Sequence, residues 1–427
     1  MKRAGTPADR RAAAALAQLR PSDLRGTARL AVQATAGVTR IVEGVHQSVL
    51  TRLGLPGWAG PGQSRGLTGM VYRGIHGVTH LVDQGLQATL LRLEPWLDRV
   101  MPGQDADGPL AERDAVLSAL NGVMGDRLAA DANPLALDME LRQDGQALDL
   151  DALRASSAAT GKLLLLVHGL CMNDRQWLRA GHDHGLHLAR SLGYTPVHVR
   201  YNTGLHTSVN GRQLADLIER LVAAWPVPLE AFSVLAHSMG GLVVRAACHS
   251  GNQAGHSWPR QLQRIVFLGT PHHGAPLERA GHWVDGLLGS SSFSRPFSRL
   301  ARLRSAGITD LRYGHVLDED WQGHDRFRRQ PDRRTVLPLP SGVACFTVAA
   351  TLAARRSRVA DRLLGDGLVP LHSALGVHDD PARCLAFPRA HQYLAFRTGH
   401  MDLLSDAGVA DRLVQWMADP PEAGLSP

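Results

Sequence analysis

From Leu163 onward the chain sets short apolar runs between longer amphipathic ones, and this alternation limits the fold more than any other feature. Leu163–Val167, Val197–Arg200, Phe232–Ala236, Ile265–Leu268 and Val343–Ala349 are the short runs. Their length and solid apolar character suit strands buried on both faces. Gln176–Leu192, Arg212–Trp225 and Met239–His249 lie between them and read as helices. Strands alternating with helices predict an α/β fold, a mainly parallel sheet with helices on both faces. The interval 275–340 breaks the alternation. It carries Trp283, Phe293, Phe297, Trp321 and Phe327 among many arginines, and is expected to be an inserted helical cap over a site.

The part before Leu163 has a different texture. Residues 24–53 and 67–93 repeat one another: Val38-Thr39 matches Val78-Thr79, Val42 matches Val82, Leu50 matches Leu90, and Arg52-Leu53 matches Arg92-Leu93. Both copies space apolar residues by three and four, and the Gly- and Pro-rich stretch Gly54–Gly66 joins them. An N-terminal helical hairpin is expected. Pro102–Pro109 reads as a linker, a helix is expected over Ala111–Ala130, and Asp144-Gly145 marks a hairpin between Leu135–Leu141 and Gln146–Leu150. The expected domains are therefore a basic helical region, 1–104, and a second domain, 105–427, with the cap inserted at about 275–340. Residues 1–104 hold 13 Lys and Arg against 6 Asp and Glu, which accounts for the whole net charge of +7. Such asymmetry suits an acidic partner surface or anionic lipid. No run is long and apolar enough to span a membrane, and Ala12–Ala17, crowded by arginines, makes a poor signal peptide. The expected location is cytoplasmic; the hairpin reads first as a packing or oligomerisation element, with peripheral contact at the inner membrane surface through residues 1–104, or a flap over the active site, as the alternatives. The four scattered cysteines read as reduced thiols rather than a disulfide frame.

Chemistry concentrates at Leu235-Ala236-His237-Ser238-Met239-Gly240-Gly241, where an expected strand meets an expected helix. A sharp turn there would lift the Ser238 hydroxyl off the sheet, and needs small residues two positions to either side. Ala236 and Gly240 occupy them, so the usual G-x-S-x-G carries one extra methyl. Taken alone, Ser238 is equally readable as an ordinary helix N-cap. A serine nucleophile needs a base and donors for an oxyanion. Val167-His168-Gly169-Leu170 closes the first strand and can bring an amide beside the turn. The amides of Leu170 and Met239 are assigned as the oxyanion hole, with His168 holding the loop rather than moving protons. His400 follows Gly399 and precedes an apolar stretch suited to a last helix; it is preferred as base over His372, His378 and His391. Asp366, in Gly365-Asp366-Gly367, is preferred as the orienting acid over Asp361, Asp379 and Asp402. His168, His237, His272 and His273 are candidate pocket residues. His182, Asp183, His184 and His187 cluster, but no second cluster at diagnostic spacing accompanies them; they read as solvated loop residues and no metal is expected. The absence of a Walker-type glycine loop predicts no nucleotide cofactor, and arginines without interleaved aromatics predict no nucleic-acid partner.

These segments resemble the α/β-hydrolase superfamily, in particular bacterial lipases and esterases and the hydrolase domain of GPI inositol-deacylase-like proteins. The resemblance rests on His168-Gly169-Leu170, Ala236–Gly241, Leu268-Gly269-Thr270-Pro271-His272-His273-Gly274, Gly365–Pro370 and Gly399-His400, in that order over about 160–420. It does not reach residues 1–104. It implies a Ser-Asp-His hydrolase acting on carboxylic esters of lipid-like or other acyl type, needing no cofactor. Acyl transfer on the same triad, and a non-catalytic membrane-associated scaffold, are the alternatives. Oligomeric state is not readable from the sequence.

Overall fold

The computed structural model describes residues 109–155, 157–275, 304–323, 325, 332–354 and 365–418. The expected N-terminal hairpin, most of the linker and the cap residues Trp283, Phe293, Phe297 and Phe327 lie outside them, as does Asp361. Asp114–Ala129 and the described residues from Ala136 onward form one compact unit, which holds the sheet.

In chain order the elements are α1 (Pro109–Ala130), β1 (Glu140–Gln143), β2 (Gln146–Ala147), α2 (Leu150–Arg154), β3 (Lys162–Val167), α3 (His184–Leu192), β4 (Thr195–Arg200) and α4 (Thr207–Ala224). Then come β5 (Ala231–His237), α5 (Met239–Gln253), β6 (Leu262–Leu268), α6 (Ala306–Tyr313), β7 (Ala344–Thr351), α7 (Leu371–Ala374), β8 (Gln392–Phe396) and α8 (Ala407–Ala418). The eight strands make one sheet in the order β2-β1-β4-β3-β5-β6-β7-β8. β3 to β8 run parallel, while β1 is antiparallel to β4 and to β2. Leu163 to Val167 are wholly buried at its centre, as a strand covered on both faces requires.

Asp144 and Gly145 both take positive φ, 50° and 74°, which gives the hairpin turn read from their dipeptide. The strands it joins are shorter than expected: residues 135–139 and 148–150 are not extended ladder. The run Gln176–Leu192 is not one helix. A short 3₁₀ turn (Asp174–Trp177) is followed by Ala180 and Gly181, both at positive φ, and α3 starts only at His184. The Asp183 carboxylate accepts the Leu186 N–H and so caps α3. α4 begins earlier than its apolar spacing suggested, because the Asp310 carboxylate from α6 accepts the Thr207 N–H at 2.8 Å. β8 has no counterpart among the expected strands.

The sheet order places a switch point between β3 and β5, since the chain leaves β3 for β4 on one side and reaches β5 on the other. Ligands in open α/β sheets bind outside the carboxyl ends of strands at such a point. The loops after β3 and β5 meet there.

Candidate active site

Ser238 directly follows β5 and immediately precedes α5, with φ 54° and ψ −123°. Positive φ in a residue with a side chain is strained by about 1–3 kcal/mol, and such strain persists only where surroundings hold it. Here the Ser238 N–H donates to the Leu268 carbonyl at 2.8 Å, and the Ser238 carbonyl accepts the Gly241 N–H at 3.1 Å. A Cβ on Gly240 would strike the Val167 and His168 carbonyls, and one on Gly241 would strike Thr270. Both glycines are therefore needed for α5 to start this close to the sheet. Ala236 lies within the ladder, level with Val167 and Phe267, so the extra methyl falls on the strand side of the serine. The Ser238 hydroxyl is buried and has no hydrogen-bond partner among the described residues.

The loop after β3 comes within van der Waals reach of this turn: a Cβ on Gly169 would lie 3.0 Å from the Ser238 Cβ. Several contacts fix it. Tyr201 stacks on His168 at 4.5 Å and its hydroxyl donates to the His168 carbonyl at 2.8 Å. The His168 Nδ1–H donates to the Gly169 carbonyl at 2.9 Å. Burial lowers the His168 pKa to about 4, so the ring is neutral and its role is to hold the loop. Cys171 takes φ 60° and gives its N–H to the Thr203 hydroxyl at 3.1 Å. Burial pushes its thiol up to about 12, so it is no thiolate. The N–H groups of Leu170 and Met239 have no acceptor among the described residues.

α1 supports this loop from behind, in a way the sequence reading missed. A Cβ on Gly122 would collide with the Cys171 sulfur, and one on Gly125 with the Asn202 side chain. Ala119, Gly122 and Gly125 form a small-residue stripe at spacing three, the signal that would have revealed a close helix–loop contact. Tyr201 and Thr203, both in the β4–α4 connection, carried no comparable signal.

Asp366 and His400 come from the loops after β7 and β8. The His400 Nδ1–H donates to Asp366 Oδ2 at 2.7 Å, and the His400 backbone N–H donates to the Asp366 carbonyl at 3.0 Å. The other carboxylate oxygen accepts the N–H groups of Leu368 (2.9 Å) and Val369 (2.7 Å). Gly365, at φ 44°, makes the loop possible, for a Cβ there would strike the Val369 carbonyl. With Nδ1 given to the carboxylate, Nε2 is the nitrogen left to accept a proton. The ring lies over Gly269, whose missing Cβ would sit 3.1 Å from Cε1 and Nδ1. Gly269 follows Leu268, the residue that receives the Ser238 N–H, so the His400 ring and Ser238 rest on the same strand end and the loop that follows it. The rival groups are engaged elsewhere: His378 with Asp332 at 3.2 Å, His391 with the Cys345 carbonyl at 3.1 Å, and Asp402 with the Gly399 N–H.

The remaining histidines are placed by burial. His237 is wholly buried, and its Nε2–H donates to the His400 carbonyl at 3.3 Å. Burial, with His400 beside it, drives its pKa well below the usual value. His184 corrects the expectation of solvated loop histidines: it is wholly buried, its Nε2 bonds the Leu403 carbonyl at 2.9 Å, and His182 Nε2 bonds its Nδ1 at 2.9 Å. The pair ties α3 to the turn just after His400. Among the described residues no group of His, Cys, Asp and Glu has the arrangement of a metal site. His272 and His273 line a small cavity whose lining contains none of Ser238, Asp366 and His400.

A strained serine after β5, a glycine-lined loop after β3, an acid after β7 and a histidine after β8 all gather at the carboxyl end of one sheet. This is an α/β-hydrolase fold.

Residues 139–290 match a family model described as "Domain of unknown function (DUF7379)". No curated protein matches the chain. Solved structures similar to it include lipase B of Aspergillus fumigatus, at 13% identity and TM-score 0.39 over 65% of this chain and 60% of that one. An esterase of Pyrococcus furiosus aligns at 14% identity and TM-score 0.33 over 61% of this chain and 82% of that one. An alpha/beta hydrolase fold protein from Chitinophaga pinensis aligns at 10% identity and TM-score 0.35, over 61% and 91%. The chain thus spans about three-fifths of the fungal lipase. The fold assignment rests on this chain's own strand order and loop geometry. No helix among the described residues is long and apolar enough to cross a membrane.

Proposed function

We propose that this protein is a serine hydrolase that cleaves carboxylic esters of lipid-like or other acyl type through an acyl-enzyme. The observation that carries the reading is the strained Ser238 held at the same end of the sheet as the 2.7 Å Asp366–His400 pair. Strain and an idle buried hydroxyl do nothing for folding, and both suit a nucleophile.

In the proposed reaction His400 Nε2 takes the Ser238 proton as Oγ attacks the ester carbonyl carbon. The carbonyl π pair moves to oxygen, and the Leu170 and Met239 amides receive that oxyanion; α5 begins at Met239, so its dipole favours negative charge there. Collapse expels the alcohol, which takes the proton from His400. Water, deprotonated by His400, then releases the acid and restores Ser238. Asp366 stays ionised throughout, holding the ring in one tautomer and stabilising the imidazolium. Apo structures often lack the tightened serine–histidine bond that forms with substrate.

The test is a panel of esters of graded acyl length together with a fluorophosphonate probe. Wild type should turn over at least one ester and be labelled at Ser238. Ser238→Ala should lose label and about 10⁶-fold in kcat. Full turnover by Ser238→Ala would sink the assignment, and products formed with added alcohols separate hydrolysis from acyl transfer.

A further inference from the structure

A second polar site lies away from Ser238. α5 carries Arg245 two turns beyond the serine, where it is 5% exposed. With His272, His273, Asp320, Arg334 and Arg383 it lines a cavity of about 60 Å³. The cavity reaches the surface beside Val336, which is half exposed. A single water needs about 10–15 Å³ of such space and a drug-sized ligand about 300 Å³ or more, so the cavity suits a small ion with a few waters.

Its polar groups are unevenly satisfied. Arg334 is engaged by Asp332, with Nη2 to Oδ2 at 2.6 Å and Nε to Oδ1 at 2.9 Å. Arg383 lies 3.5 Å from Asp332 and 3.4 Å from Asp380. The Asp320 carboxylate is spent on backbone, accepting the N–H groups of Val316, Leu317 and Thr335. Arg245 forms no ion pair among the described residues: Nη2 donates to the Leu337 carbonyl at 2.5 Å, and Nε has no partner. Among the described residues neither ring nitrogen of buried His272 has a partner. Burial lowers the Arg245 pKa to about 10, which leaves it charged at neutral pH. Asp320 acts on Arg245 only through space; a buried cation without a hydrogen-bonded counter-charge is unfavourable, and removing buried donors from water without acceptors adds to that.

We infer that this cavity is a binding site for a phosphate-type oxyanion, held by the Arg245 guanidinium and the imidazole N–H of His272. Donors arriving from α5, from the loop after β6 and from the segment 332–339 suit a tetrahedral group better than a planar carboxylate, which donors on one side saturate. The loop bearing His272 also holds the Ser238 N–H through Leu268, so an occupied cavity braces the floor of the serine site.

The experiment is titration calorimetry on the full chain with inorganic phosphate and, separately, glycerol phosphate, against chloride at matched ionic strength. One saturable site for phosphate is expected, with none for chloride. Binding of inorganic phosphate alone identifies the free ion as ligand. Tighter binding of glycerol phosphate identifies an esterified phosphate, as in a headgroup. No saturable binding of either, or an equal response to chloride, overturns the inference. Arg245→Met should weaken phosphate binding at least about tenfold, and undiminished affinity overturns it. Hydrogen exchange on wild type needs no variant: phosphate should protect residues 270–274 and 334–338, and protection confined elsewhere would refute the site.

Discussion

Two buried polar clusters in the same compact unit are built on opposite terms. Where β1 meets β4, Arg142 is buried among acids: Nε meets Asp174 at 3.1 Å, Nη1 meets Glu140 at 2.8 Å and Nη2 lies 3.4 Å from Asp114. Nη2 also donates to the Gly145 carbonyl. Arg200 completes the network against Asp114 and Glu140. Burial opposes the Arg142 charge, but Asp174, Glu140 and Asp114 outweigh it and hold its pKa above the ordinary value. At the carboxyl end of the sheet Asp366 and His400 form a close buried pair, and Ser238, at the same end, is strained and has a hydroxyl without a partner among the described residues. The first cluster has the properties of a staple for the antiparallel edge. The second keeps features that folding alone would remove, as the proposed chemistry requires. The contrast predicts that changes at one cluster register in turnover and changes at the other in stability.

The largest expected effect is that of Asp366→Asn on turnover. The amide can still meet the Leu368 and Val369 N–H groups through its oxygen, but its NH₂ favours the wrong imidazole tautomer. On an ester that wild type cleaves, kcat should fall about 10⁴-fold with the fold retained by circular dichroism. A fall of less than tenfold would remove Asp366 from the proposed mechanism. Next comes Arg142→Met, which leaves the Asp174 carboxylate buried without its arginine. Urea unfolding should show a loss of about 3–5 kcal/mol, while kcat per folded molecule stays within twofold or so of wild type. Lost turnover at unchanged stability would erase the distinction between the clusters.

How much of this was legible in the sequence follows from where each signal resides. β3, β5 and β6 are buried on both faces, so their residues are solidly apolar and the strands stand out. β8 is only partly buried at the sheet edge, and Gln392-Tyr393-Leu394 carries no clear period. The break at Ala180 and Gly181 was legible but overlooked: no large apolar residue lies between Leu178 and Leu186, and Gly181 followed by the N-cap Asp183 marks a stop and a new start. Ser238, Asp366 and His400 were readable because their turns demand glycine or small neighbours locally. Thr203, which fixes the Cys171 amide, and the Ala119-Gly122-Gly125 face of α1 act across long sequence separations. The small-residue stripe announces a close contact but not which loop makes it, and a lone hydroxyl announces neither. His184 was misread for the same reason, since its acceptor is the carbonyl of Leu403.

A smaller effect concerns acid. His168 and His184 are buried and neutral, with pKa values lowered by burial from 6.5 to about 4. Above pH 6.5 both are neutral whether folded or not, and stability is unaffected by them. Between pH 6.5 and 4 the unfolded chain binds protons that the folded chain refuses, so stability falls as pH falls, by roughly 3 kcal/mol for each ring. Below about 4 the folded rings protonate too and this contribution levels off. Unfolding free energies measured at stepped pH should show the decline, and His184→Gln should flatten part of it. An unchanged slope in that variant would mean His184 is not the titrating group.

The smallest effect tests the strain directly. Ser238→Ala keeps a Cβ at φ 54° and so keeps the steric penalty, whereas Ser238→Gly removes it. Glycine also raises the entropy of the unfolded chain, which offsets about 0.5–1 kcal/mol of the gain. Against a strain of about 1–3 kcal/mol, Ser238→Gly should end on the order of 1 kcal/mol more stable than Ser238→Ala in urea. Both variants lack the hydroxyl, so their difference isolates the backbone. If alanine proves the more stable of the two, the turn at Ser238 is unstrained, and the case for the serine then rests on its place at the same end of the sheet as the Asp366–His400 pair alone.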